Sequence, residues 1–169
     1  MTLISRSLTS IFFVIITSSA YANIGQVIEQ KGVTNIERGE DGFDSIDKGF
    51  GMESMDTVRT KNGRTAIEFI DDTRVDVTEH SKLIIDSFVY DPNTQTGSLS
   101  LKASFGTMRY ASGQIAKNSR QNIKIRTPTA VVGVRGTDFS MTIDELGSST
   151  IVLLPSCNDF GNCVVGEIT

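Results

Sequence analysis

The chain is poor in the residues from which most active sites are built. Among its 169 residues there is no tryptophan, and His80 is the only histidine. Two cysteines and one histidine, without a C-x-x-C spacing, argue against a metal centre of the Cys/His type. The sequence also lacks a G-x-G-x-x-G loop, a P-loop, a G-x-S-x-G elbow and a D-x-D-x-D-G calcium loop. We therefore expect no cofactor, no metal and no catalytic residue, and the chain is not predicted to be an enzyme.

Runs of basic residues are absent as well. The chain has 16 Lys and Arg residues against 20 Asp and Glu residues, a net charge of −4. A nucleic-acid-binding surface needs clustered positive charge, so nucleic acid is not an expected partner.

A long hydrophobic stretch occurs only at the N-terminus, and it is short for a membrane span. Arg6 precedes the apolar run 11–16, and small residues follow up to Ala20-Tyr21-Ala22. This order is typical of a secretory signal peptide cleaved after Ala22, whereas a spanning helix needs about 20 apolar residues. We predict a signal peptide over 1–22 and a mature domain over 23–169. Removal of Arg6 with the signal peptide leaves the mature chain with a net charge of −5. The predicted location is periplasmic or extracellular.

Helical periodicity is missing from the rest of the chain. Valine, isoleucine and threonine recur in short alternating runs, and glycine- or asparagine-containing corners separate them every 8–14 residues. This pattern predicts one all-β domain of about ten short strands, arranged as a sandwich, a barrel or a β-solenoid. The polar segment 111–121 is interpreted as a loop or a single helical turn. The chain ends inside a strand at Thr169, which suggests a truncated sequence or a domain only just completed.

Particular strands can be assigned to faces of the sheet. "KNG", residues 61–63, predicts a hairpin with a type I′ turn, because Asn-Gly accepts positive φ. Alternation places each of three sets on one face of its strand: Thr65, Ile67 and Phe69; Leu83, Ile85, Ser87 and Val89; Leu99, Leu101, Ala103 and Phe105. Ile84, Phe88 and Tyr90 lie opposite the second set, so that strand could be covered on both sides.

Cys157 and Cys163 flank the segment "NDFGN" between two strand-like runs. In an exported protein this spacing predicts a disulfide that closes a C-terminal hairpin, with a stabilisation of ~2 kcal/mol because the ring is short. Free thiols are the alternative.

Arg135 lies between Gly133 and Gly136 in "TPTAVVGVRGT", and both glycines are expected to permit backbone angles that a side chain would forbid. The apolar residues before it predict a buried position, and a buried arginine needs a carboxylate partner. Asp138 is close in sequence, and Asp71, Asp72 and Asp76 are possible long-range partners. We expect Arg135 to brace a corner of the sheet from inside; the alternative is an arginine that binds an anion or a partner.

Two polar groups could support catalysis, but weakly. Asp71, Asp72, Asp76 and Glu79 could include a pair of acids for glycoside hydrolysis, although Asp-Asp at a corner is usually turn chemistry. His80 lies in a polar turn and is expected to be solvated. An enzyme that acts on cell-wall glycan therefore remains the weakest alternative.

The segment "RTPTAVVGVRGTDFSM" closely resembles the signature of the FecR domain, a periplasmic module of iron-transport regulators and of many exported bacterial proteins. The resemblance extends to "MDTVRTKNGRTAIEFIDDTRVDV" and covers about residues 25–168. One departure lies at the corner after "IEFID", where the chain has Asp72-Thr73 and the family commonly has Asp-Gly. The signature positions are Thr127, Pro128, Thr129, Gly133, Arg135, Gly136 and Thr137, which we interpret as residues that form the fold.

The resemblance implies an extracytoplasmic all-β domain without catalytic activity that engages another envelope protein. Our first hypothesis is an exported module that binds a protein or glycan of the cell envelope. The alternative is a periplasmic sensor of FecR-type signalling that acts with a separate membrane partner.

Overall fold

The computed structural model describes residues 23–119, 121–157 and 161–169, which form an all-β fold with a single helical turn. The predicted signal peptide, 1–22, lies outside the described residues. In chain order the elements are β1 (Gly25–Lys31), β2 (Thr34–Arg38), β3 (Asp41–Asp44), β4 (Gly51–Met52), β5 (Thr57–Thr60), β6 (Arg64–Phe69), β7 (Arg74–Val77), β8 (Lys82–Asp91), β9 (Thr96–Ala111), α1 (Gln114–Asn118), β10 (Ile123–Arg126), β11 (Val131–Arg135), β12 (Asp138–Ile143), β13 (Ser149–Leu154), β14 (Ser156–Cys157), β15 (Cys163–Val164) and β16 (Glu167–Ile168).

The long strand β9 divides the large sheet into two lobes. Lobe 1 contains β1, β4, β6, β7, β12 and β13, which pair among themselves and with residues 106–111 of β9. Lobe 2 contains β2, β3, β5, β8, β10, β11 and β16, which pair among themselves and with residues 96–105 of β9. In the described chain only the ladder between β9 and β10 is parallel. A solenoid of stacked parallel coils is therefore wrong, and the fold is a curled sheet of the sandwich or half-barrel kind.

One hydrophobic core joins the lobes. The rings of Phe69 in lobe 1 and Phe88 in lobe 2 stack with their centroids 5.3 Å apart, and Tyr110 and Phe139 stack at 5.2 Å. Thr65, Ile67 and Phe69 are all buried, as their alternation predicts. The expectation of about ten strands was too low because several strands have only two residues.

Two β-bulges displace the predicted faces of β8 and β9. The register of β8 shifts between Ile85 and Ser87, so Leu83, Ile85 and then Phe88 point into the core, while Val89 is 63% exposed. A second shift opposite Ser104 leaves Phe105 39% exposed, and the inward set of β9 continues with Met108. An inserted residue reverses the alternation that follows it. The prediction that Ser87 and Val89 share a face with Leu83 and Ile85, and Phe105 with Leu99 and Leu101, was therefore wrong.

Four chain segments cross between the lobes at one end of the molecule, which we call the crossing end: Gly32, 61–63, 79–81 and Gly106. Backbone hydrogen bonds join Lys61 N to Val33 O and His80 N to Lys61 O, each 3.0 Å long. The amide of Thr107 donates to Ser81 Oγ at 3.0 Å. The predicted "KNG" hairpin is wrong, since β5 pairs with β2 and β8 while β6 pairs with β1 and β7. Neither Asn62 nor Gly63 has positive φ.

Candidate binding surface at the signature loop

The signature residues Thr127, Pro128 and Thr129 form the loop of the β10–β11 hairpin. The amide of Thr127 donates to Ala130 O at 2.9 Å, and the amide of Ala130 donates to Thr127 Oγ1 at 3.1 Å. Pro128 and Thr129 are exposed. The loop is a compact turn held by the hydroxyl of its own threonine.

The signature loop packs on the β12–β13 turn. Thr129 Oγ1 donates to Gly147 O at 2.8 Å. Gly147 has a φ of 84°, and a Cβ there would lie 3.0 Å from Pro128 Cβ. The carboxylate of Asp144 accepts hydrogen bonds from the amides of Leu146 and Ser148, at 2.9 and 2.8 Å. These contacts fix the turn and leave Leu146 89% exposed.

A groove of about 840 Å³ opens between this turn and the crossing end. Its apolar lining includes Phe105, Pro128 and Leu146, and its polar lining includes His80, Asp144 and Glu145. His80 is exposed, as predicted. An apolar side chain presented on a fixed turn beside a concave surface is the kind of feature that anchors a protein partner. We call this region the signature groove.

Gly133 and Gly136 serve different purposes. Gly136 has a φ of 61°, a backbone conformation that favours glycine, as expected. Gly133 lies in regular strand, and its amide donates to Thr169 O at 2.6 Å. A Cβ on Gly133 would lie 2.8 Å from Thr169 Oγ1. The expectation of an unusual backbone angle at Gly133 was wrong, because the glycine there permits close approach of the C-terminal segment.

Arg135 is exposed, and the prediction that it braces the fold from inside was wrong. Its side chain is 47% exposed, and the acid that it contacts is Glu167, with an Nη1–Oε2 distance of 3.5 Å. None of the four predicted partners (Asp71, Asp72, Asp76 and Asp138), all of which lie in the described chain, forms an ion pair with Arg135. The alternation of β11 directs Val132 and Val134 inward and leaves Val131 and Arg135 outside. The apolar run before Arg135 was therefore an unreliable indicator of burial.

Thr137 is the signature residue that is buried at this corner. Only 1% of it is exposed, and its Oγ1 lies 3.2 Å from Arg135 O and 3.3 Å from Glu167 O, to which it can donate. Ser112 Oγ donates to Thr137 O at 2.9 Å, and the amide of Ser112 donates to Asp138 Oδ1 at 2.9 Å. These bonds tie the crossing from β11 to β12 to the end of β9.

The arginine that does brace the fold is Arg38, which sequence reasoning missed. Its Nε and Nη2 donate to the two oxygens of Asp56, each at 2.7 Å, and its Nη1 donates to Glu53 Oε1 at 2.6 Å. The guanidinium also lies 5.5 Å from the ring centroids of Phe43 and Phe50. The hydrogen bonds to Asp56, which is fully buried, raise the pKa of Arg38 above its usual value despite partial burial. In the sequence, the feature that points to this role is that Arg38 precedes a segment rich in acidic residues and phenylalanine.

The four acids considered for glycoside chemistry are used otherwise. Asp71 is buried, and its carboxylate accepts hydrogen bonds from Thr73 Oγ1 at 2.7 Å and from the amides of Thr73 and Ile115 at 3.2 Å. Asp72 accepts from Gln114 Nε2 at 3.1 Å, and Asp76 accepts from Arg74 Nε at 2.8 Å. Glu79 is exposed at the crossing end. Each of the three aspartates has a structural contact: Asp71 and Asp72 at the β6–β7 corner, and Asp76 in an ion pair within β7.

Asp72 also accounts for the departure from the family pattern at this corner. It has a φ of 65°, a region that aspartate tolerates better than most residues. The amide of Phe69 donates to Thr73 O at 2.8 Å, and the amide of Asp72 donates to Phe69 O at 3.0 Å. The β6–β7 corner therefore closes without a glycine.

The C-terminal cysteines lie opposite each other. The β14–β15 ladder pairs Cys157 with Cys163 and Ser156 with Val164. The side chain of Cys157 lies outside the described part of the structure, so the disulfide stays a prediction.

Across the described residues there is no helix long and apolar enough to cross a membrane, and no cluster of three or more His, Cys, Asp or Glu side chains that could hold a metal ion.

Comparison with known proteins agrees with the signature. The family model described as FecR protein matches residues 56–154, which is more than half of the chain and includes all seven signature positions. No curated protein and no solved structure matches the chain. The match runs from the buried Asp56 to the last residue of β13, and on this ground the chain belongs to the FecR family.

Proposed function

We propose that this chain is an exported, non-enzymatic FecR domain that binds another protein of the cell envelope through the signature groove. FecR is a regulatory signalling family that is not known for enzymatic activity, and its domains are periplasmic sensing modules. The observation that carries the proposal is Leu146, 89% exposed on a turn that Asp144 and the signature loop hold in place. A leucine so exposed contributes little to the fold, whereas it can be buried in a partner.

The groove also indicates the kind of partner. Phe105, Pro128 and Leu146 provide apolar surface, and Asp144 and Glu145 place two acids at its border. Buried apolar area supplies the affinity of such a site, while charges at the border favour partners of opposite sign. The partner segment is therefore an apolar side chain flanked by basic residues. A glycan ligand is less favoured, because neither tryptophan nor tyrosine lines this groove.

Leu146→Glu tests the proposal, with Val89→Glu as its matched control. Both residues are exposed and apolar, but Val89 lies on β8 outside the groove. Each variant would be produced from the full sequence in a deletion strain and recovered from the periplasmic fraction. Photo-crosslinking from a position in the groove should trap an envelope protein with the wild-type chain and with Val89→Glu, but not with Leu146→Glu. Equal crosslinking by all three would contradict the proposal.

The regulatory role is tested separately in the same strains. If the domain acts in FecR-type signalling, deletion changes transcription of envelope transport genes, and the wild-type chain and Val89→Glu restore it whereas Leu146→Glu does not. If deletion leaves transcription unchanged while crosslinking still depends on Leu146, the domain is a binding module without a signalling role.

A further inference from the structure

We propose that two copies of this chain pair through the edge strand β13, forming a two-fold dimer with a continuous sheet. The inference is independent of the proposed function, since β13 does not line the signature groove. In the described chain β13 pairs only with β12, so its other edge presents unpaired backbone N–H and C=O groups. Such an edge is a ready template for another strand.

Within β13 there is no charge, proline or bulge of the kind that normally blocks an edge. Proteins protect edge strands by making them short, by charging them, or by inserting proline or a bulge. β13 has six residues, "STIVLL", without charge or proline, and its register with β12 is unbroken over six pairs. Four of the six residues are apolar. None of the six is fully buried, and Val152 is 56% exposed.

The other free edges of the large sheet are protected. Among the described strands β3, β4 and β16 also pair on one side only, as do the stretches 28–31 of β1 and 86–91 of β8, both of which carry charged residues. β3 has four residues and carries Asp41 and Asp44, while β4 and β16 have two residues each and β16 includes Glu167. The contrast singles out β13 as an edge kept open.

The occupant that we propose is a second copy, because β13 is compatible with itself. Two copies of β3 would place aspartates against aspartates, whereas two antiparallel copies of β13 meet without any ionic repulsion. On the outer face the pairing brings Thr150, Val152 and Leu154 of one copy against the same three residues of the other. Threonine and branched apolar residues are those that pack well across neighbouring strands. The interface is isologous, as in most two-fold dimers.

Thr150→Lys and Thr142→Lys form a matched pair that tests the dimer. Both threonines are exposed and lie directly opposite each other, but Thr150 is on the edge strand and Thr142 is on β12, which is paired on both sides. Light scattering and sedimentation of the purified full-length product should give a dimer for the wild-type chain and for Thr142→Lys. Thr150→Lys should weaken the dimer, because it places a charge in the interface. The double variant Thr150→Lys/Val152→Lys also brings like charges together at the two-fold axis and should raise the dimer dissociation constant by at least about tenfold.

Circular dichroism and thermal midpoints would establish that the variants fold alike. A second measurement needs no variant: the amides of β13 should exchange with solvent hydrogen more slowly as the protein concentration rises. Three results would each overturn the proposal. The wild-type chain could be monomeric at every concentration, the double variant could dimerise as tightly as Thr142→Lys, or the amide exchange of β13 could be independent of protein concentration.

Discussion

The guanidinium of Arg38 and the carboxylate of Asp56 form a bidentate ion pair, with both N–O distances at 2.7 Å, across 18 residues of chain. Asp56 is fully buried, and Arg38 is its charge partner. The pair links the end of β2 to the segment before β5, and Glu53 and the aromatic rings of Phe43 and Phe50 complete its surroundings.

Arg38→Gln should therefore destabilise the protein by ~3 kcal/mol, because it leaves a buried carboxylate without its counter-charge. Urea unfolding followed by circular dichroism would measure the loss. Arg135→Gln is the control, since this arginine is exposed and its contact with Glu167 is long. An exposed pair of this kind contributes no more than about 1 kcal/mol. Equal losses in the two variants would contradict the assignment of Arg38 as the internal brace.

Asp71→Asn should loosen the β6–β7 corner and the start of α1 together. The carboxyl group of Asp71 accepts hydrogen bonds from Thr73 and from the Ile115 amide, and replacing one of its oxygens with an NH2 group that cannot accept them should cost about 2 kcal/mol. Asp72→Asn is the control, since Asp72 is exposed and asparagine also tolerates its positive φ. Hydrogen exchange should accelerate at Thr73 and Ile115 in the first variant only. An unchanged exchange rate at Ile115 would show that Asp71 does not hold the helical turn.

Gly106→Ala should be among the most damaging single substitutions. Gly106 has a φ of 93°, and a Cβ there would overlap Ser81 Oγ and lie 2.5 Å from Ser81 Cα. Gly39 also has positive φ, at 59°, but a Cβ would meet nothing within 4 Å. We expect about 1 kcal/mol for Gly39→Ala from backbone strain alone and at least about 3 kcal/mol for Gly106→Ala. Thermal unfolding of both variants would show whether steric conflict at the crossing end adds to the strain.

Reduction of the predicted Cys157–Cys163 disulfide should lower the free energy of unfolding by ~2 kcal/mol and leave the native β fold intact. The backbone ladder places the two residues opposite each other, as the bond requires. Cys157→Ser/Cys163→Ser should behave like the reduced protein and should no longer respond to reductant. Two reactive thiols in exported, unreduced protein would contradict the prediction.

Asp86 gives the stability a defined dependence on pH. A hydrogen bond from Lys102 lowers the pKa of Asp86, with further contributions from Ser100 and Arg126, against the opposing effect of burial. A carboxyl whose pKa is lower in the folded state stabilises the fold above its unfolded pKa of about 4, and this stabilisation disappears as pH falls through the folded value. The stability difference between wild-type and Asp86→Asn should thus be constant near neutral pH and shrink in acid. A difference that grows on acidification would refute this.

The sequence was sufficient for the fold class and for much of the core, because alternation is a local property. Thr65, Ile67 and Phe69, and likewise Leu99, Leu101 and Ala103, are buried as predicted. The prediction failed after Ile85 and after Ala103, where a bulge reverses the faces. A bulge depends on the partner strand, which a local pattern does not reveal.

The candidate site shows the same limit for side chains. Arg135 faces outward because its place in the alternation of β11 outweighs the apolar run before it. Arg38 was missed because its partner is 18 residues away and is brought near by the pairing of β2 with β5. The pairing of Arg38 with Asp56 therefore follows from the tertiary structure, and no spacing rule identifies it.

The sharing of β9 makes the protein a single mechanical unit. No linker separates the lobes in the described chain. Because both lobes pair with β9, a change that displaces one lobe also disturbs a strand of the other. Phe105 lies next to the bend of that strand and also lines the signature groove. The signature groove therefore borders the stretch of β9 at which the strand passes from one lobe to the other.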